Sequence, residues 1–366
     1  MLNFAIVGCG RIANKIVDGI ISNSENAKLV AVCDILENKM KQIKNRYMEK
    51  TDVSEQIIEV SNYKEILDNV KVDVVIISTE SGYHENIGLY FLENEVNVII
   101  EKPIAMSIQG AQKLVNKAKE KKLKLAACHQ NRFNYPIQLL KKAIQEDRLG
   151  KIFNGMARIL WTRDDNYYLQ APWRGTWTLD GGTLMNQCIH NIDLINWMMD
   201  DEIDTVYAQT SNYIRNIEAE DYGVILIRYK SGKIATIEGS AIVYPKNLEE
   251  TLTITGEKGT VVIGGMAVNK INTWRVEGDS EEEYLSIDCG DPNSVYGYGH
   301  EALYKDFIEA IQENREPLVN GVAGLNAVKI ILAAYKSQKT GKVIKFEEFN
   351  EFSTNDMKNN NLRVKG

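Results

Sequence analysis

The sequence predicts two domains: a doubly wound parallel α/β domain first, then an α+β domain built on a mainly antiparallel sheet and covered by helices. Three observations carry this. Short apolar strands alternate with helical patterns over roughly the first 120 residues. Strands follow one another without intervening helices after residue 200, and one strongly apolar helix, residues 183–199, precedes them. A length of 366 residues and a hydrophobic content of 44% suit two ordinary domains with full cores.

The elements follow in order. Leu2–Val7, Lys28–Cys33, Val72–Ile77, Val96–Ile100 and Leu123–Ala127 are continuous apolar runs, the mark of strands buried on both faces. Helical patterns at about Arg11–Ser22, Leu36–Met48, Tyr83–Glu93 and Ser107–Lys119 join them, and right-handed crossovers then give a doubly wound sheet. After Gly150 come strands at Lys151–Thr162, Asp204–Tyr213, Tyr222–Tyr229, Lys233–Ala241, Glu250–Thr255, Thr260–Ile263 and Lys270–Val276. Tyr304, Phe307, Ile308 and Ile311 recur at helical spacing, which predicts an amphipathic helix over Glu301–Glu313, with another at Val322–Lys336. The expected boundaries are 1–125 and 126–345, with a polar tail, 346–366, expected to be poorly ordered.

Composition excludes several classes. The formal net charge is -7 with no clustered Lys and Arg, which argues against a nucleic-acid surface. No stretch approaches the length of a transmembrane helix, so no membrane partner is expected. Cys9, Cys33, Cys128, Cys188 and Cys289 show no C-x-x-C spacing, which predicts reduced core cysteines in a cytoplasmic protein, with no disulfide frame and no metal site. The first residues enter a strand directly, so no signal peptide is expected.

Gly8-Cys9-Gly10-Arg11-Ile12-Ala13 lies between the first strand and the first helix. This is the G-x-G-x-x-A form of the dinucleotide fingerprint. The first glycine permits a tight turn, the second lets the backbone approach a pyrophosphate, and the helix N-terminus attracts the phosphates. Asp34 ends the second strand, where a carboxylate accepts hydrogen bonds from the adenosine ribose and repels a 2′-phosphate; NAD is the cofactor expected. Asp34 also suits an N-cap of the next helix, and the two roles are compatible. Ser78 and Thr79 close a strand at the same sheet edge and are expected to face the cofactor; His84 either touches its ribose or faces solvent.

Glu101-Lys102-Pro103 ends the strand Val96–Ile100. Proline stops the ladder, and lysine is rarely buried without a partner, so Lys102 is presented at the carboxyl edge where open α/β sheets bind ligands. The second polar cluster lies in residues 180–197. Asn186, His190 and Asp193 fall at i, i+4 and i+7 and form one stripe on the apolar helix. His190 is either a proton acceptor in a cleft or a structural histidine held by Asp193. Trp173-Arg174-Gly175-Thr176-Trp177 places aromatics around an arginine, which suits a sugar with an anionic group or, alternatively, a core-packing loop.

These motifs, with Gln130-Asn131-Arg132-Phe133, Gly181-Gly182 and Glu257-Lys258-Gly259, resemble the Gfo/Idh/MocA oxidoreductases from residue 2 to about 345. The resemblance implies an N-terminal Rossmann domain and a C-terminal open antiparallel sheet used in assembly, hence a homodimer or homotetramer. It implies a catalytic Lys102 and His190 as general base, with Glu101 and Asp193 as their supports. Many members carry an aspartate four residues before the histidine; here it is Asn186, which orients a hydroxyl but accepts no proton. The pattern Y-Y, W-R-G-T-W, D-G-G, N-Q, H resembles the branch that oxidises C3 of UDP-N-acetylglucosaminuronic acid on the way to surface polysaccharides, some members of which reoxidise bound NADH with 2-oxoglutarate. Arg132, Trp173, Arg174, Asn186 and Gln187 are then the expected substrate contacts. The rival readings are another sugar or inositol dehydrogenase of the family, and a non-catalytic NAD-binding regulator.

Overall fold

The computed structural model describes residues 1–51, 56–290, 297, 299–360 and 362–364. The chain divides into two compact units. The first comprises residues 1–106, 110–128 and 300–325; the second comprises 107–109, 129–299 and 326–366.

The first unit holds a six-stranded parallel sheet: β1 (Leu2–Val7), β2 (Ala27–Cys33), β3 (Ile58–Val60), β4 (Val74–Ile77), β5 (Asn97–Ile100) and β6 (Leu125–Ala127), in the order β3-β2-β1-β4-β5-β6. The order reverses between β1 and β4, the switch point at which such sheets bind nucleotides. Register decides what meets there. Val7 pairs with Ile77, Ile77 with Ile100, and Ile100 with Ala127, so Gly8, Ser78, Glu101 and Cys128 all emerge at one level. Edge strand β3 has no counterpart in the sequence reading; it is three residues long and only half-buried, so it carries little periodic signal.

The chain returns to this unit late. In the helix Gly299–Gln312, Tyr304 and Phe307 are buried. The Tyr304 ring lies so close to Gly19 that a Cβ there would stand 2.2 Å from it. This return lies far beyond the boundary expected at residue 125.

The second unit is built on an eight-stranded sheet: β7 (Ile152–Leu160), β8 (Ile203–Ser211), β9 (Tyr222–Tyr229), β10 (Ile234–Ser240), β11 (Glu249–Gly256), β12 (Gly259–Gly264), β13 (Lys270–Val276) and β14 (Ile344–Lys345). The order is β13-β12-β11-β7-β10-β9-β8-β14, and only β7 and β10 pair in parallel. Strict alternation explains its two faces. On β9, Ile225, Ile227 and Tyr229 are buried while Val224 and Leu226 are exposed.

The helix expected over 183–199 is two helices, Thr183–Asn186 and Ile189–Met199. The N–H groups of Gln187 and Cys188 both turn to the Thr183 carbonyl, at 2.9 and 3.0 Å, and the ladder restarts beyond them. Close approach to the sheet accompanies the break: a Cβ on Gly239 would lie 2.5 Å from the Cys188 sulfur. A helix absent from the sequence reading, Tyr135–Gln145, begins with proline in its first turn.

The tail is not the loose segment expected. Phe349, Phe352 and Met357 are buried, and the Ile108 N–H donates to the Phe352 carbonyl at 3.0 Å. Three spaced apolar residues in an Asn-rich stretch are enough to dock it. Among the described residues no helix is long and apolar enough to cross a membrane.

Candidate active site

In the first unit the loop after β1 is shaped for an anion. Gly8 has φ +98°, and a Cβ there would lie 2.6 Å from the Ser78 carbonyl, so the turn requires glycine. Ser78 Oγ donates to the Gly8 carbonyl at 2.7 Å and ties the loop to β4. Gly10 is the opposite case: a Cβ there would meet nothing within 4 Å, so the glycine keeps open the space in front of the loop. Ile12 occupies the N-cap of helix Ala13–Ser22; no side chain caps it and no acid sits in its first turn. Its N–H groups and the positive end of its dipole face outward beside exposed Arg11. The Asp34 carboxylate accepts from the Cys9 N–H at 2.8 Å and the Leu36 N–H at 2.9 Å, which holds it against this loop. An open cradle, an uncapped helix start and a neighbouring carboxylate fit the pyrophosphate and ribose of NAD. Burial pushes the Cys9 and Cys33 thiols up to about 12, so neither is a nucleophile near neutral pH.

Glu101 continues β5, its N–H donating to the Ile77 carbonyl at 2.8 Å. Lys102 follows, half-buried, and the Lys102–Pro103 peptide is cis. The Glu101 carboxyl lies largely buried beside the Cys128 thiol, and His300 Nε2 is 4.0 Å from its Oε1. The Tyr304 hydroxyl flanks the same thiol. Burial raises the Glu101 pKa, and the Lys102 charge opposes that rise. Burial also holds His300 down at about 4, so it is neutral at physiological pH.

His84 corrects the sequence reading. It is 1% exposed, with Nδ1 2.8 Å from the Pro103 carbonyl and Nε2 3.1 Å from that of Thr79. It neither faces solvent nor offers a ring nitrogen to a ribose. It joins the loop after β4 to the loop after β5, and burial lowers its pKa.

In the second unit His190 stands half-exposed on helix Ile189–Met199, edge-to-face with buried His129 at 5.6 Å. The expected stripe is dismantled. Asn186 belongs to the preceding helix, and both Asp193 oxygens accept from Arg132, Nε at 2.7 Å and Nη2 at 2.6 Å. Arg132 is therefore committed to a buried, two-pronged ion pair 61 residues distant in sequence and stacked 4.8 Å from Trp197, not to a substrate anion. Gln187 is also drawn inward: its Nε2 donates to the Tyr167 hydroxyl and to Asn186 Oδ1, and its Oε1 accepts from Arg163. Its amide bonds neighbours on both sides, which holds the side chain in one orientation. Arg174 donates to the Tyr167 carbonyl at 2.6 Å with its guanidinium 4.1 Å from the Tyr167 ring and 5.5 Å from Trp173. Both stay half-exposed, as a substrate contact requires.

The sequence reading missed the support beneath Gly182. A Cβ on that glycine would fall 1.8 Å from Oε2 of Glu220. Glu220 is fully buried; its Oε1 accepts from the Leu184 N–H at 2.8 Å and the Tyr335 hydroxyl at 3.0 Å. Burial pushes its carboxyl up to about 8. The roles of His129, Cys128, Tyr304 and His300 were missed as well, because their partners lie far away in sequence.

Two family models cover nearly all of the chain: an oxidoreductase family NAD-binding Rossmann fold over residues 2–129, and an oxidoreductase family C-terminal alpha/beta domain over 141–346. The chain belongs to the Gfo/Idh/MocA oxidoreductase family, NAD-dependent enzymes of sugars and polyols. Among solved structures it is similar to the WlbA dehydrogenase of Chromobacterium violaceum in complex with NADH and UDP-GlcNAcA, at 34% identity and a TM-score of 0.85 over 94% of this chain and 95% of that one. The Bordetella pertussis WlbA dehydrogenase, with the same two ligands, is 32% identical with a TM-score of 0.83 over 94% and 98%. A myo-inositol 2-dehydrogenase of Thermotoga maritima is 23% identical over 352 residues, 95% of this chain and 99% of its own.

Proposed function

We propose that the chain oxidises the C3 hydroxyl of UDP-N-acetylglucosaminuronic acid to a ketone with NAD, a step in making nucleotide sugars for surface polysaccharides. The observation that carries this is the likeness, above 30% identity over 94% of the chain, to two dehydrogenases whose structures hold NADH and UDP-GlcNAcA. The Tyr167, Trp173 and Arg174 cluster supports it, because a stacked guanidinium beside exposed aromatic surface suits a sugar bearing negative charge.

NAD, when bound, supplies the hydride acceptor. The residues divide the remaining work. Gly8, Gly10, Arg11, Ile12, Ser78, Thr79 and Asp34 bind the cofactor. His190 accepts the hydroxyl proton, Asn186 orients that hydroxyl, and the Lys102 ammonium stabilises the developing alkoxide. Glu101 holds Lys102. The products are the ketone, NADH and one proton.

Assembly as a homodimer or homotetramer in the cytoplasm belongs to the same reading. The outer sheet face exposes Phe153, Met156, Val224, Leu226 and Ile234, apolar side chains that a second copy would cover.

The test is direct. The purified chain is mixed with NAD and either UDP-N-acetylglucosaminuronic acid or myo-inositol; absorbance follows NADH, and mass spectrometry and NMR locate the ketone. The expected result is a 3-keto nucleotide sugar with the first substrate. Turnover of inositol alone overturns the substrate and favours a polyol dehydrogenase, the reading to which the Thermotoga relative points. Because NADH can stay bound, the assay is repeated at enzyme concentrations that reveal a single turnover, with and without 2-oxoglutarate.

A further inference from the structure

A carboxylate lies one hydrogen bond away from Asn186. Asp180 Oδ1 accepts from Asn186 Nδ2, and its Oδ2 accepts from the Gly175 N–H at 2.7 Å. Asn186 Oδ1 accepts in turn from Gln187 Nε2 at 2.6 Å. Gln187 Oε1 accepts from Arg163 Nε at 2.9 Å. This chain of bonds has one sense. A guanidinium only donates, so Gln187 turns its oxygen to Arg163 and its NH2 to Asn186 Oδ1, which turns the Asn186 NH2 to Asp180.

We propose that Asp180 is the positioning residue that fixes the Asn186 amide, and that positions 180 and 186 form a coupled pair holding one carboxylate and one amide. The proposal rests on the reading of Asn186 as a residue that orients the substrate hydroxyl. Two carboxylates at hydrogen-bonding distance cannot both be ionised; one takes up a proton. Two amides leave Asn186 without its acceptor-only anchor. Exchanging the two residues keeps each of the bonds just named. Asn at 180 accepts from Gly175 and donates to Asp at 186, whose second oxygen accepts from Gln187. Ionisable groups near the pair include Tyr168 and Tyr335, which both interact with the Asp180 charge, Glu220 beneath Tyr335, Asp221, and His190 four residues beyond Asn186. The cations are Arg163, through Gln187, and Arg174 beside Tyr167.

The test is a four-form cycle on the full chain: wild type, Asn186→Asp, Asp180→Asn and the double exchange. Each is assayed from pH 6 to pH 9 with NAD and whichever substrate the wild type turns over. Asn186→Asp is expected to lose about tenfold in kcat at pH 8 and to recover toward pH 6, where the pair can share a proton. Asp180→Asn is expected to lose kcat without that recovery, while the affinity for NAD stays unchanged in both. The double exchange is expected to return to within about threefold of wild type with its pH profile, a non-additivity characteristic of residues in contact. A wild-type profile in Asn186→Asp, or an exchange no better than the poorer single variant, overturns the proposal. If Asn186→Asp does not fold, Asn186→Ser breaks the chain without adding charge and should lose kcat; full activity there overturns the proposal.

The same cycle in thermal unfolding needs no substrate. Recovery of the melting midpoint in the exchange supports the coupling, and additive losses overturn it. Inactivity of the wild type with UDP-N-acetylglucosaminuronic acid falsifies the substrate assignment and leaves this cycle intact.

Discussion

The two units hold their functional groups by different means. In the first, Gly8, Ser78 and Glu101 are each the first residue after a strand, and Lys102 follows directly. Their positions are set by backbone register, because Val7, Ile77 and Ile100 pair at one level. In the second, Asn186 and Gln187 sit around a helix break and are aimed by side chains: Asp180 at one end, Arg163 and Tyr167 at the other. Register cannot drift without unpairing a buried sheet. A side-chain chain can be rebuilt by one or two substitutions. The first arrangement suits a cofactor that is always the same, and the second suits a substrate that differs between relatives.

The largest test of this contrast removes one chemical group from each unit. Lys102→Met and His190→Ala should each lower single-turnover oxidation by at least 10²-fold, the order expected for a lost acid–base or electrostatic group, while NAD binding measured by calorimetry is unchanged. The double variant should be little worse than the poorer single, because groups serving one step are not additive. Multiplicative losses would break the reading that they serve one step.

Two glycines give the next test. Gly182→Ala drives a methyl into the Glu220 carboxyl and should cost about 1–3 kcal/mol of stability, seen as a lower melting midpoint. Gly10→Ala meets no protein atom, so the midpoint of the apo form should hold, while NAD affinity falls roughly tenfold, about 1.4 kcal/mol. An equal loss of stability in both variants would erase the distinction between a glycine kept for packing and one kept for a ligand.

Asp34→Ser should weaken NAD by a similar factor and narrow its preference over NADP; isothermal titration with both cofactors checks this. The smallest effect is a slope. Glu220 is held at about 8 when folded, well above the ordinary carboxylate value, so the folded state binds its proton more tightly than the unfolded chain does. Its contribution is complete in acid and is lost as pH rises from about 4.5 to about 8. Glu220→Gln should flatten the fall in melting midpoint over that window; an unchanged slope would assign the effect to other buried carboxyls such as Glu250, also pushed up to about 8.

The same contrast explains what the sequence could disclose. Strand ends, the glycine fingerprint and the place of Lys102 just beyond a strand were legible because each depends on local pattern and on order along the chain. Helical spacing puts His190 in one stripe with Asn186 and Asp193, a stripe that the break between the two helices undoes, and its role as a base comes from the family resemblance. The partnership of Arg132 with Asp193 spans 61 residues, and nothing local separates a paired arginine from one awaiting a ligand. His84 read as a ribose contact or a surface histidine because its partners, Thr79 and Pro103, offer main-chain carbonyls that any residue could supply. The helix break at Gln187 and Cys188 accompanies a close approach to the sheet and leaves the apolar periodicity intact.

The late return of residues 300–325 to the first unit governs how the protein is born. At a synthesis rate of about 5–20 residues per second, the ribosome needs on the order of 10–40 s to travel from residue 128 to residue 325. During that interval the six-stranded sheet can form, but Gly19 lacks the Tyr304 ring and the wall it completes. The nucleotide-binding unit must wait, half-clad, while seven of the eight strands of the second sheet are made.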